Sequence, residues 1–382
     1  IENMDLNILW IYFLTETSDF TMALTYAKSF DKRFSDNGKQ ALNLANYIAA
    51  NDSSFLSEKN FLVAESAYKY VIDKGKTLPN SIDARSGLLE LYFNKAAHSV
   101  MPDKTMLNNL DIEYQQLITE IGFNEKSVSI IRNWAKMLAV YKNDFERADS
   151  LLNAAIKIPR LKNSLLAQCK LDLADLYLLT GEVWEASLLY SQVEKDFKYD
   201  ELGFEAKFRN ARLSYFIGEF GWALAQLEVL RASTSKLIAN DAMELSLLIS
   251  ENSDEGEDSN FTALKIFAQA DLMMEQKNYA QARRFLDSLS ENFPYHSLAD
   301  EILYQRANIA IAEKNYSAAL QYLADIYQNF PNDLLADDAI ILSARIYDDI
   351  LKDKFSTLPL LEKIIIEYPS SIYIDEARER YK

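Results

Sequence analysis

Turn-forming residues are scarce in this chain, with nine glycines and seven prolines among 382 residues. An all-β protein or a loop-rich α/β enzyme needs far more turn chemistry, whereas helices joined by short loops do not. The single cysteine, Cys169, rules out an internal disulfide, and its place beside Leu165, Leu166 and Ala167 marks it as a small core residue. Of the two histidines, neither His98 nor His296 has a Cys, His or carboxylate at the spacing a zinc site uses, so no metal is expected. His296, just after Pro294, reads as a solvent-facing loop residue. Glycine-rich phosphate loops and a Gly-x-Ser-x-Gly elbow are absent, so no cofactor and no enzymatic activity are expected. The longest unbroken apolar run, Ile8–Leu14, has seven residues and is far too short to span a membrane. Clustered basic residues are missing too. The 57 acidic residues outnumber 40 basic ones, for a formal charge of −17. That balance disfavours nucleic acid and anionic membrane surfaces and suits a neutral or basic protein partner.

What the chain has in quantity is apolar surface, 49% of residues with 12% aromatic, enough for a large core. It also has a period. Asn292-Phe293-Pro294, Asn329-Phe330-Pro331 and Glu367-Tyr368-Pro369 end three segments alike, their prolines 37 and 38 residues apart. Each is followed by an acidic start, Ala299-Asp300-Glu301, Ala336-Asp337-Asp338 and Ile374-Asp375-Glu376, at the same intervals. Proline closes a helix by disfavouring helical geometry in the residue before it, and acidic residues suit the first turn of the next helix. Within a unit, Asn278-Tyr279 and Asn315-Tyr316 mark a turn, with Asn placed to cap the second helix. Ala282 and Ala319, with Ala270 and Ala307 on the first helices, are small enough for paired helices to approach within roughly 8–10 Å. The predicted fold class is therefore all-α, a solenoid of antiparallel helix pairs with about 20 helices.

These spacings resemble the tetratricopeptide repeat. Leu173, Ala174, Tyr177, Gly181, Ala186 and Tyr190 occupy its successive signature positions; Ala211, Gly218, Phe220 and Ala223 form the next copy. Asp144, Phe145 and Ala148 mark an earlier one, and Asp19-Phe20 with Ala23 and Asn60-Phe61 with Ala64 are weaker copies. The resemblance implies a right-handed superhelical solenoid that binds a protein or extended peptide without catalysis. The long-period variant is similar to repeats of outer-membrane-assembly lipoproteins and cell-division coordinators in Gram-negative envelopes. Gly181 to Phe197 and Ser233 to Asn252 look like long envelope tetratricopeptide proteins. That subgroup implies a periplasmic or outer-membrane-associated location. Because the chain opens with Ile1 and lacks a signal-peptide pattern, we expect a piece of something longer, with room for a lipid anchor upstream. An accessory subunit of an outer-membrane assembly or secretion complex is the second expectation. A glycan- or small-molecule-binding helical repeat protein is the third.

Residues 82–122 have helical periodicity without signature residues and read as a degenerate pair. Between Glu219 and Asn278 the spacing stretches to 59, leaving room for an extra helix over Lys236–Ile249 and an acidic stretch after it. We expect an N-terminal solenoid over 1–250, a linker or hinge over 251–260 and C-terminal repeats over 261–382. An EF-hand alignment of that linker fails, because Thr262 falls where a bidentate Glu is required. Trp134, Trp184 and Trp222 are expected in the core, while Trp10 is expected to face a neighbour or partner.

First helices of such repeats line the groove. Mapped onto this chain, the candidate partner-binding residues are Phe208, Arg212, Tyr215, Phe216, Phe267, Asp271, Tyr304, Asn308 and Arg345, flanked by Leu171, Asp175 and Ile341. The carboxylate clamp with which some tetratricopeptide domains grip chaperone tails needs Lys and Asn one turn apart. Only Asn308 fits, paired with Tyr304, so chaperone-tail capture is not expected.

Overall fold

The computed structural model describes residues 4–51, 58–75, 78–97, 103–231, 235–252 and 261–382. His98 and most of the acidic stretch, 253–260, lie outside these residues. Twenty α-helices are present and no strand among the described residues. The chain divides into two compact units, 1–158 and 159–382. The helices on either side of the acidic stretch therefore belong to one unit, and the division falls about a hundred residues before the expected hinge.

The first unit is four helix pairs: α1 (Met4–Glu16) with α2 (Phe20–Phe34), α3 (Lys39–Asn51) with α4 (Glu58–Asp73), α5 (Ser81–Ala97) with α6 (Lys104–Ile121), and α7 (Val128–Met137) with α8 (Phe145–Ile156). The second contains α9 (Asn163–Thr180) with α10 (Val183–Asp196) and α11 (Glu201–Phe216) with α12 (Phe220–Leu230). An inserted helix follows, α13 (Lys236–Glu251). Then come α14 (Thr262–Glu275) with α15 (Tyr279–Asn292), α16 (Ala299–Ala312) with α17 (Tyr316–Asn329), α18 (Ala336–Arg345) with α19 (Lys354–Glu367), and a closing α20 (Ile374–Tyr381). Within the first unit α1 touches α3, α3 touches α5 and α5 touches α7; within the second α9 touches α11, α11 reaches α14 across the insertion, and α14 touches α16.

The small residues do what their spacing requires. Ala23, Ala64, Ala148, Ala186, Ala223, Ala282 and Ala319, one per second helix, are each at most 1% exposed, as are Ala270 and Ala307 on the facing helices. A methyl group at these crossings leaves no room for a longer side chain and lets the backbones close up. In α19 the equivalent place holds Thr357, four residues after the N-cap and equally buried. In the degenerate pair it holds Leu107, four after the N-cap Asp103. A bulky side chain at that crossing is why the signature fades there.

Seven turns inside pairs share one backbone among the described residues. Ser18, Asn143, Gly181, Gly218, Lys277, Lys314 and Lys352 are left-handed, with φ between 52° and 90°. Each directly precedes the first cap of a second helix. Asp19, Asp144, Asn278, Asn315 and Asp353 accept a hydrogen bond there from a backbone N–H three residues on. The N–H of the cap itself bonds back five residues in most turns, as Asn315 does to Ala310. After α7 and α18 it bonds back six, Asp144 to Leu138 and Asp353 to Tyr347, because these helices end in π turns at Leu138–Lys142 and Ile346–Leu351. The extra residue explains a change of period. Lys314 comes 15 residues after the start of α16, whereas Lys352 comes 16 after the start of α18.

Buried carboxylates brace the first unit. Asp31 accepts from the Gly38 N–H, the Tyr70 hydroxyl and the Lys74 ammonium. In the degenerate pair, Asp111 accepts from the Trp134 indole at 2.8 Å, Lys142 at 2.6 Å and both terminal nitrogens of Arg147. Trp134 is buried as expected, but Trp184 and Trp222 are 74% and 63% exposed. They sit two residues before Ala186 and one before Ala223, rotations that turn them away from the alanine-bearing face. Cys169 is buried. His296 is only half-exposed; its Nδ1 accepts from the Leu298 N–H at 3.2 Å, and its ring meets Phe293 edge-on.

Candidate functional site

The second unit contains a cavity of about 740 Å³, within the range of pockets that hold small molecules or side chains. Its walls come from the first helices α11, α14 and α16, from the inserted α13, and from the loops entering α16 and α18; no residue of a second helix takes part. First helices thus face the cavity because the alanine crossings commit the opposite side of each pair to packing.

Five of the nine candidate residues meet here: Phe208 and Arg212 from α11, Phe267 and Asp271 from α14, and Tyr304 from α16. Tyr215 and Phe216 lie behind this wall, 2% and 4% exposed. The Tyr215 hydroxyl donates to Asp271 at 2.7 Å, and the Phe216 ring lies 5.4 Å beneath the Arg212 guanidinium. Asn308, one turn beyond Tyr304, is half-buried and outside the lining. Arg345 is also outside it: its guanidinium forms a two-pronged pair with Glu376 and stacks on Tyr373. Leu171 and Ile341 are core residues, and Asp175 is held by Tyr190 and Arg209 at 2.7 and 2.6 Å.

The residues that spacing alone did not assign are those of α13 and the loops. Asp241, Glu244, Leu245 and Leu248 form one wall, Asp300 and Glu301 stand at the start of α16, and Asn332 to Leu335 form the rim. The signal for the wall was the long interval between Glu219 and Asn278, which betrays an insertion but not the direction it faces.

Charge is lopsided in this cavity. Seven carboxylates line it, Asp241, Glu244, Glu251, Asp271, Asp300, Glu301 and Asp333, against one cation, Arg212. Arg212 is already paired with Glu275. Burial pushes Asp271 up to about 7, even though Tyr215, Arg212 and Gln305 favour its charged form. Burial, then the neighbouring Asp300 carboxylate, lifts Glu301 well above the usual carboxylate range, and its Oε2 is buried without a hydrogen bond from the chain. Burial also raises Asp241 and Glu244, and pushes Tyr304 up to about 12. Among the described residues no three His, Cys, Asp or Glu converge closely enough to hold a metal ion, and no helix is long and apolar enough to cross a membrane.

No curated protein matches this chain. Solved structures to which the chain is similar include three at low identity. A tetratricopeptide repeat protein from Parabacteroides merdae is 12% identical, with 78% of this chain and 98% of that one covered and a TM-score of 0.38. The human IFIT1 dimer with m7Gppp-AAAA is 13% identical over 97% and 79%, with a TM-score of 0.40. A Rap protein complexed with competence and sporulation factor is 14% identical over 85% and 97%, with a TM-score of 0.38. The tetratricopeptide repeat family profile matches residues 266–294 and 301–333, so the chain carries tetratricopeptide repeats, and the two matched copies contribute Phe267, Asp271, Tyr304 and Glu301 to the cavity.

Proposed function

We propose that the chain is a non-catalytic tetratricopeptide scaffold of the bacterial cell envelope that holds an extended segment of a partner protein in the cavity of its second unit. One observation carries the reading. The cavity is built only from first helices, the inserted α13 and the inter-repeat loops, so the repeat architecture itself leaves it open. Repeats of this family serve generally as binding scaffolds, and the mixture of Phe208, Phe267, Tyr304, Arg212 and carboxylates suits a peptide better than a reacting substrate. Envelope placement is supported by the sequence resemblance over Gly181 to Phe197 and Ser233 to Asn252.

A photo-crosslinking amino acid at position 208, expressed in the native host, tests the site. A discrete crosslinked partner from position 208, but not from the exposed Leu188 on α10, is expected. Crosslinks from position 188 alone would sink the cavity reading. They would instead favour an accessory subunit of an outer-membrane assembly that docks through its second helices, a reading to which the exposed Trp184 and Trp222 lend weight. Fractionation of the same cells into periplasm, membranes and cytoplasm tests the location, and recovery in the cytoplasm alone would refute it.

A further inference from the structure

We infer that the cavity receives a lysine or arginine side chain of the bound peptide segment. The inference rests on the scaffold reading and deepens it. Seven acidic side chains against one already paired guanidinium give the cavity a surplus of carboxyl groups over cations. Removing carboxylates from water without a counter-charge is costly, and the cavity shows the signs of that cost. Glu301 Oε2 is buried without a donor, and burial keeps the Asp271 carboxyl ready to hold a proton. An incoming ammonium or guanidinium supplies the missing positive charge and the missing N–H donors together.

The apolar wall decides what kind of cation. Phe208, Phe267 and Tyr304, with Leu245 and Leu248 from α13, offer rings and methyls for the methylene stem of a long basic side chain. A metal ion would leave this surface unused, and no three carboxylates converge to bind one among the described residues. A free polyamine would satisfy the carboxylates but leave Leu334 and Leu335 at the rim uncovered, whereas the residues flanking a peptide lysine would cover them.

Panning a phage-displayed random dodecapeptide library against the full chain provides the test. Recovered peptides are expected to share one Lys or Arg flanked by apolar residues. In fluorescence anisotropy with a synthetic copy of the leading peptide, replacing that residue by norleucine should weaken binding at least about tenfold. The double substitution Asp271→Asn with Glu301→Gln should do the same. Should that variant fail to fold, Asp241→Asn with Glu244→Gln removes two charges from half-buried and exposed positions of α13 and should also weaken binding of the basic peptide but not of the norleucine copy. Equal binding of lysine and norleucine peptides, or a selected consensus without a basic residue, overturns the inference and leaves the scaffold reading intact. If no peptide is enriched, both fall. If spermidine binds and no peptide does, the occupant is a small polyamine and the inference is wrong.

Discussion

At the scale of single residues, the tightest constraints are steric. Ala319 is fully buried where α17 meets its neighbours, so Ala319→Leu should overfill the crossing and cost about 1–3 kcal/mol, read as a lower melting temperature. Gly203 is tighter still, because a Cβ there would sit 1.9 Å from the Phe197 carbonyl oxygen. Gly203→Ala should therefore force the loop before α11 to move and destabilise by a similar amount. Two acids give opposite pH signatures. Asp271 folds with its carboxyl raised to about 7, above an unfolded value near 3.9, so its contribution is present at low pH and is lost as pH rises through about 7. Burial alone would raise Asp111 as well, but Arg147, Lys142 and Trp134 outweigh it and hold Asp111 down at about 2. Its contribution is present above the unfolded value and disappears as pH falls towards 2. Measured as stability differences against Asp271→Asn and Asp111→Asn, the first should shrink on going from about pH 5 to pH 8 and the second on going from about pH 5 to pH 2. A flat Asp111 difference would mean that its three partners do not stabilise the folded chain.

At the scale of helices, the left-handed residue that precedes seven of the second helices is the most regular feature among the described residues. Gly181 and Gly218 take this conformation without strain, whereas Lys314 carries a Cβ there at φ 63° on an exposed turn. Lys314→Gly should raise stability by up to about 1 kcal/mol in chemical denaturation, while Gly181→Lys should lower it. Much of this level could be read in the sequence. Asn278 and Asn315 announce their caps, Ala282 and Ala319 their crossings, and residues 82–122 their degenerate pair, because each depends on neighbours within one or two turns. Other features escaped for physical reasons. Whether Trp184 faces the core depends on a rotation of a few tens of degrees set by the preceding turn. The partners of Asp111 lie 23, 31 and 36 positions away, a separation no local pattern encodes. The five candidate residues that meet in the cavity were legible from repeat spacing, but its wall was not, since an inserted helix obeys no repeat.

For the molecule as a whole, a formal charge of −17 sets the background against which every ion pair acts. Repulsion among like charges opposes compaction, and salt screens it within about 10 Å at 0.1 M. Raising sodium chloride from low to physiological concentration should therefore raise the melting temperature, followed by circular dichroism; a fall would mean that specific ion pairs outweigh the general repulsion. The same salt should weaken capture of a basic peptide, so stability and binding are expected to respond in opposite directions. The π turns that end α7 and α18 have a bearing on how such an array changes over time. An added amino acid there is stowed as a wider loop of helix just before the bend, and the next helix still begins with its packing face aimed inward. Single-codon insertions are thus tolerable at these places while they would scramble the stack almost anywhere else along a helix, which makes helix ends the natural points at which to lengthen the chain by design.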